Sequence, residues 1–279
     1  MNSNIPDRYA VMGNPIAHSK SPDIHTLFAK QTQQHLSYEA ILVDTEKFKP
    51  TVHDFANKGG KGLNITVPFK QQAWELATQR SQRAELAGAV NTLSLNDDNQ
   101  YIGDNTDGVG LVRDLTNNHN INLQNLRILV IGAGGAVRGV LLPLLEQQPQ
   151  SVIIVNRTQS KAEELAELFT AFGNISALGF EQLSDKSFDL IINGTAASLQ
   201  GEVPPVPANC INETTNLYDM MYASEPTPFM QWGTQCGAKS CFDGLGMLVE
   251  QAAESFFIWR GVHPDTHVII STLRAQMKK

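Results

Sequence analysis

An α/β protein of two domains is predicted by three observations. Short apolar runs alternate with helical stretches along the chain. One such run is followed at once by a cluster of glycines and then by a helical pattern. The length of 279 residues, at about 150 residues per domain, fits two domains. With 42% hydrophobic and 18% charged residues, the chain is able to bury a core and is unlike a disordered segment.

The first half mixes short strands with helices. Residues 9–12 form an apolar run ended by Gly13, Asn14 and Pro15. Residues 22–34 predict a helix, with Ser21 as its N-cap and Pro22 in its first turn. Residues 36–43 alternate like a strand, 46–58 predict a helix, and 62–66 predict a short strand. A helix over 82–87 precedes a strand over 91–95, and a helix over 107–118 carries the chain onward.

The second half changes character. Residues 127–131 and 151–155 are continuous apolar runs, as expected of parallel strands buried on both faces. Helical patterns over 136–147 and 161–172 follow them, and further strands are expected at 188–192 and 215–219. This β-α-β-α-β order with short connections is that of a doubly wound, Rossmann-like nucleotide-binding domain. Helices over 245–259 and after Pro264 close the chain. Leu245, Leu248, Val249, Ala252 and Phe256 follow helical spacing as core positions. The expected limits are 1–106 plus 243–279 for a discontinuous first domain and 107–242 for the nucleotide-binding domain.

Charge and cysteine usage narrow the function classes. Lys plus Arg number 21 and Asp plus Glu 28, a net charge of −7, which disfavours binding to nucleic-acid phosphates. The three cysteines, Cys210, Cys236 and Cys241, lack CxxC spacing, so neither a disulfide framework nor a structural zinc site is expected. No apolar run reaches the ~18 residues of a membrane helix, and residues 1–8 lack an apolar signal core. These features predict a cytoplasmic protein in a reducing compartment. His263 and His267 have the i,i+4 spacing of metal ligands, but no Glu stands at the motif position, and surface histidines are expected.

Gly132, Ala133, Gly134, Gly135 and Ala136 sit between a buried strand and a helix. Gly132 suits a tight turn, and Gly134 suits close approach of a pyrophosphate to a helix N-terminus. The strict G-x-G-x-x-G pattern fails at Val137, and a tight turn without ligand is the competing reading. The next strand ends at Asn156, Arg157 and Thr158, with Lys161 one turn on. Where an NAD site would place a carboxylate, this chain offers cations suited to a 2′-phosphate, so NADP is favoured.

Polar residues cluster in the first half. Ser19 and Ser21 precede a helix, where hydroxyls either cap it or hold a carboxylate. Asn64 and Thr66 share one face of a strand, either a ligand surface or an exposed face. Asn91 and Asp107 lie in the segments Gly88-Ala-Val-Asn-Thr92 and Asn105-Thr-Asp-Gly108.

Together with Ser19-Lys-Ser-Pro22, Asn64-Ile-Thr-Val-Pro-Phe-Lys70, Gly132-Ala-Gly-Gly-Ala136, Asn156-Arg-Thr158, Tyr218-Asp-Met-Met-Tyr222 and Asp243-Gly-Leu-Gly-Met-Leu-Val-Glu-Gln251, these segments resemble the shikimate dehydrogenase family over nearly the whole chain. The sequence departs from the family pattern at Gln82, where an acidic residue is common, and in the loop Gly194-Thr-Ala-Ala-Ser198. The resemblance implies reversible NADP-dependent hydride transfer at C3 of shikimate, with Lys70 and Asp107 as the proton-transfer pair. It implies that Ser19 and Ser21 bind the substrate carboxylate, and that Asn64, Thr66, Asn91, Tyr222 and Gln251 line the polyol site. It implies that Gly132, Ala133, Gly134, Gly135, Ala136, Asn156, Arg157, Thr158 and Lys161 hold NADP, and that Met220, Gly244 and Met247 border the nicotinamide. Family members occur as monomers or homodimers. An NAD-using quinate/shikimate dehydrogenase and a catalytically silent sensor are the alternatives. Arg157 and Thr158 disfavour the first, and the presence of both Lys70 and Asp107 disfavours the second.

Overall fold

The structure is a computed structural model that describes residues 5–95 and 100–278. Residues 1–4, half of the stretch read for a signal core, lie outside the described residues. The chain divides into two compact units, one holding residues up to Gly110 and Val249–Ile269, the other Leu111–Leu248 and residues from Ile270.

In the first unit, β1 (Asp7–Gly13), α1 (Ser21–Gln31), β2 (Leu36–Leu42), α2 (Phe48–Asn57), β3 (Gly60–Ile65) and α3 (Lys70–Leu76) are followed by β4 (Gln79–Arg80), α4 (Gln82–Ala87), β5 (Thr92–Leu95) and β6 (Tyr101–Asp104). The sheet order is β2-β1-β3-β5-β6-β4. β1 pairs parallel with β2 and β3, whereas β5 runs antiparallel to β3 and β6. Ala10, Met12, Leu63 and Ile65 point to a core with Phe48, Val52, Phe55 and Phe69. Tyr9 stacks on Trp259 at 4.8 Å. A Cβ at Gly62 would collide with that indole, which is why β3 carries glycine there.

The second unit contains β7 (Arg127–Ile131), α6 (Gly135–Leu145), β8 (Ser151–Val155), α7 (Gln159–Phe169), β9 (Ile175–Leu178), β10 (Leu190–Asn193), β11 (Asn216–Asp219), α8 (Pro228–Gln235) and β12 (Ser240–Asp243). Its sheet is parallel throughout, in the order β12-β11-β10-β7-β8-β9. Counted from its own first strand this is the doubly wound order 3-2-1-4-5-6, with the reversal between β7 and β10. Leu129, Ile131, Ile191 and Leu217 face a core closed by Phe229. Ile128, Val130, Val152, Ile154, Leu190 and Ile192 are equally buried. Burial on both faces is the physical cause of the unbroken apolar runs. Three further helices complete the chain: α5 (Asp107–Arg113), α9 (Leu245–Arg260) and α10 (Thr266–Met277).

Several local expectations need correction. Ser21 is the first helical residue of α1, and Lys20 is the N-cap; Ser21 N–H donates to Ser19 Oγ instead (3.3 Å). α1 stops at Gln31, because Gln33 takes a left-handed φ of 56°. The helix expected over 107–118 widens into a π turn over Asp114–Asn118 after Arg113. Relative to the expected limits of 107 and 242, the division falls inside α5 and α9, and the end of α10 belongs to the second unit. β12 pairs with β11, and Arg274 grips Asp243 and donates to the Ala223 carbonyl (3.1 Å), so these stretches go with the second sheet. His263 stacks on Phe257 at 3.8 Å.

His25 is the unusual core residue of the first unit, 1% exposed. It stacks on Tyr38 at 4.2 Å and lies beside Phe28, Phe256 and Trp259. Among the described residues, neither ring nitrogen has a hydrogen-bond partner. Burial pushes its pKa down from 6.5 to about 3, and the nearby Asn64 amide opposes this only weakly. Folded His25 thus stays neutral while the unfolded chain takes up a proton below pH 6.5. Its contribution to stability is present above 6.5 and is lost at about 1.4 kcal/mol per pH unit as pH falls toward the folded value. His25→Phe is expected to flatten the loss of stability between pH 6.5 and about pH 4, measured by urea denaturation. Parallel slopes for the two proteins would remove His25 as the cause.

Candidate functional site

In the first unit Asn64, Asp107 and Gln251 converge on Asn91, which is 3% exposed and precedes β5. Its backbone N–H donates to the Asp104 carbonyl (3.0 Å), and its own carbonyl accepts from Ile65 N–H (2.8 Å). Asn91 Nδ2 donates to Asp107 Oδ1 (2.8 Å) and Thr106 Oγ1 (2.9 Å). Asn91 Oδ1 accepts from Thr106 N–H (2.9 Å) and Thr92 Oγ1 (2.8 Å). Gln251 of α9 joins at 3.4 Å from Asn91 Nδ2.

Lys70 opens α3 and Asp107 opens α5. Lys70 Nζ lies 2.5 Å from Asp107 Oδ2, with side chains 30% and 12% exposed. Asp107 sits at a helix N-terminus, where a carboxylate is favoured, and its N–H donates to Asn105 Oδ1 (3.2 Å). Val90 N–H donates to the Lys70 carbonyl (2.9 Å), tying α3 to the Asn91 turn. Arg83 of α4 holds Asp104 through two bonds (2.7 and 2.8 Å) and Glu254 of α9 through a third (3.0 Å). The turn carrying Asp107 is thereby tied to the helix carrying Gln251.

Asn64 of β3 is 6% exposed, so its strand face is not the solvated one. Its Nδ2 donates to Ser255 Oγ (3.0 Å). Among the described residues, no hydrogen bond joins the Thr66 hydroxyl to this network and Ser19 also stands outside it, whereas the Ser21 side chain lies beside the Tyr38 phenol. Ser19 Oγ accepts from Ser21 N–H, which leaves its own O–H free to donate. Tyr38, Thr92, Thr106 and Ser255 belong to the network but were not singled out by sequence. Thr92 and Thr106 lie inside the motif segments, whereas Tyr38 and Ser255 become polar-site residues only when the Tyr38 side chain reaches Asn64 from β2, one strand beyond β1, and α9 brings Ser255 to β3.

In the second unit the glycine turn follows β7, at the reversal of strand order. Gly132 has φ +111° and donates to the Val155 carbonyl (2.7 Å), so it is needed by the turn itself. At Gly134 and Gly135 an added Cβ would meet nothing within 4 Å. The fold therefore does not demand glycine there, and the open space is a cradle that a side chain would fill. Gly134 is the N-cap of α6 and no side chain caps that helix, which leaves N–H donors facing the cradle. Ala133 and Ala136 flank the cradle. Asn156 Nδ2 donates to the Thr158 carbonyl (2.9 Å), shaping the turn after β8. Arg157 and Lys161 are exposed and, among the described residues, neither forms an ion pair. The glycine cradle, the uncapped helix and these two cations fit a phosphorylated dinucleotide.

The turns after β10 and β11 are held by one carboxylate. Asp219 accepts from Asn193 Nδ2 (3.1 Å), Ser198 Oγ (2.6 Å), Thr227 Oγ1 (2.7 Å) and Met221 N–H (3.1 Å). Burial raises its pKa, and these hydrogen bonds oppose the rise. Asp219 thus fixes the 194–198 loop together with the turn bearing Met220 and Tyr222. A Cβ at Gly244 would collide with the Met220 carbonyl, so glycine permits the close approach that starts α9, whose first turn carries Met247. Burial also raises the Tyr222 phenol, and Asp243 adds to this.

The strand order and the glycine turn at its reversal place the chain among two-domain α/β dinucleotide-binding proteins. Residues 11–93 match the shikimate dehydrogenase substrate-binding domain, 114–200 the shikimate/quinate 5-dehydrogenase family, and 244–274 the shikimate 5′-dehydrogenase C-terminal domain. The chain belongs to the shikimate dehydrogenase family. It is 58% identical over 271 residues to the NADP(+) shikimate dehydrogenase of Marinobacter nauticus, covering 96% of this chain and 98% of the relative. An enzyme of Pseudomonas putida named Ael1 has a crystal structure that matches with TM-score 0.91 at 47% identity, covering 96% of this chain and 98% of that one. The Thermus thermophilus enzyme, solved with NADP(H) and shikimate, matches with TM-score 0.86 at 31% identity, covering 96% and 99%.

Asn91→Ala would leave Thr106 N–H, the Thr92 hydroxyl and one Asp107 oxygen without their partner. A loss of about 1–3 kcal/mol in unfolding free energy is expected, read from the denaturant midpoint at constant slope.

Proposed function

We propose that the chain catalyses the reversible NADPH-dependent reduction of 3-dehydroshikimate to shikimate. The observation that carries this reading is the Lys70–Asp107 pair, 2.5 Å apart and fixed by Asn91. We assign the first unit to the substrate and the second to NADP. Ser19 and Ser21 bind the carboxylate, with Ser19 O–H donating. Asn64, Thr66, Asn91 and Gln251 bind hydroxyl groups of the ring, and Tyr222 is assigned to the same task. Gly132 to Ala136 and Asn156 to Thr158 hold the dinucleotide, with Arg157 and Lys161 on the 2′-phosphate. Met220, Gly244 and Met247 are assigned to the nicotinamide. The activity is placed in the cytoplasm, in a monomer or homodimer.

Bound at the glycine turn, NADPH supplies the hydride. We assign to Lys70 delivery of the proton that the carbonyl oxygen needs as it becomes an alkoxide, and uptake of the hydroxyl proton in the reverse direction. Asp107 orients the ammonium and offsets its charge. Asn91 keeps Asp107 in place through the oxygen not paired with Lys70.

The test is an absorbance assay of nicotinamide reduction, with shikimate or quinate crossed against NADP or NAD. Turnover confined to shikimate with NADP supports the reading. Comparable turnover with quinate or NAD overturns its specificity, and no turnover with any pair overturns the activity. Lys70→Ala is expected to lower kcat by at least about 100-fold with little change in KM for shikimate. Retention of most of the turnover number would falsify the role of Lys70. Arg157→Ala is expected to raise KM for NADP by roughly 10-fold or more, the loss of a charge-assisted contact, while KM for NAD stays unchanged.

A further inference from the structure

Asn64 sits between two sets of neighbours that together decide which way its amide faces. Its Nδ2 donates to Ser255 Oγ (3.0 Å) and approaches Thr92 Oγ1 and the Asn91 carbonyl at 3.3 Å each. The Asn91 carbonyl can only accept, so a flipped Asn64 would set two oxygens against each other. On the opposite side, Tyr38 O–H donates to Asn64 Oδ1 at 2.7 Å. Tyr38 lies on the edge strand β2, in register with Tyr9 of β1, and its ring is fixed by the stack on His25. The Ser21 side chain lies beside the same phenol. Burial keeps that phenol protonated far above neutrality, so it remains a donor at any working pH.

An asparagine amide has two N–H donors and two acceptor lone pairs. Both donors of Asn64 are committed to protein oxygens, and Tyr38 uses one lone pair. The His25 ring lies beside this amide without a hydrogen bond to it, so among the described residues one acceptor position on Oδ1 is left.

We propose that the Tyr38 hydroxyl is a positioning group for substrate recognition: it locks the Asn64 amide so that Oδ1 presents its remaining lone pair as acceptor for one substrate hydroxyl. This rests on the shikimate-directed reading of the first unit. It makes Asn64 a reader of O–H donors and Tyr38 the residue that keeps it so. An analogue lacking that hydroxyl leaves the second lone pair of Oδ1 unfilled, and the locked amide cannot turn to compensate.

The experiment is a kinetic double-mutant cycle of Tyr38→Phe and Asn64→Ala, assayed with shikimate and with analogues each lacking one hydroxyl. Tyr38→Phe keeps the ring and its stack. It is expected to raise KM for shikimate roughly 2- to 12-fold, the loss of one hydrogen bond, with kcat and KM for NADP unchanged. It is also expected to reduce discrimination against one deoxy analogue. In the Asn64→Ala background, Tyr38→Phe is expected to add nothing. An unchanged KM in Tyr38→Phe, or an equal rise in both backgrounds, overturns the proposal. Should Tyr38→Phe not fold, Ser255→Ala releases the same amide from its other end. It must then raise KM for shikimate in the native background and not in Asn64→Ala, and any other result overturns the proposal. Failure of the wild-type protein to turn over shikimate would overturn the activity itself, an outcome separate from a normal wild type with an unresponsive Tyr38→Phe.

Discussion

The first unit depends on satisfying one buried amide. Asn91 is almost without solvent, and an unpaired polar atom there costs about 1–3 kcal/mol. Its four hydrogen bonds below 3.0 Å run to Thr92, Thr106 and Asp107. Its backbone bridges the Asp104 and Ile65 strand ends. The same pairing that stabilises β3, β5 and β6 therefore brings Lys70 and Asp107 to each other. Stability and site geometry are one constraint here. The Asp107 carboxylate is held from both sides, by an amide donor and by an ammonium.

The second unit solves a similar problem with a carboxylate. Asp219 gathers donors from the ends of β10 and β11 and from the turn before α8. Polar side chains at the carboxyl ends of parallel strands have few backbone partners left, and this is where a doubly wound sheet leaves its crevice. The glycine turn lies at the same end. Gly132 answers to the backbone, whereas Gly134 and Gly135 answer to empty space. That difference separates a glycine required by folding from one that leaves room for a ligand. The family membership of the chain agrees with this division of labour between the units.

Much of this was legible in the sequence. β7 and β8 match their apolar runs residue for residue, because burial on both faces writes the strand directly into composition. β4, β6, β9 and β12 have no counterpart among the expected strands: they have two to four residues, too short for a periodic run. Such strands exist because a neighbour pairs with them. α8 starts at Pro228 after the Thr227 cap, a helix signal that was present and unread. Residue type alone suggests Ser21 as a cap. Its backbone N–H instead meets Ser19, a choice made by the turn geometry.

The sequence by itself determined the two-unit α/β plan, the glycine turn, the cations after β8 and the identity of the lysine and aspartate, since these follow from local periodicity, residue chemistry and motif order. Only the tertiary structure decided which polar side chains meet. Asn64, Asn91, Asp107 and Gln251 are spread from residue 64 to residue 251, and no local rule relates them. The contacts of Tyr38 and Ser255 were decided in the same way, by the pairing that sets β2 one strand beyond β1 and by the packing of α9 on β3. Hydrogen bonds act over about 3 Å, whereas sequence patterns report on the next turn or the next strand position. The chain had to fold before a tyrosine could set the direction of an asparagine 26 positions away.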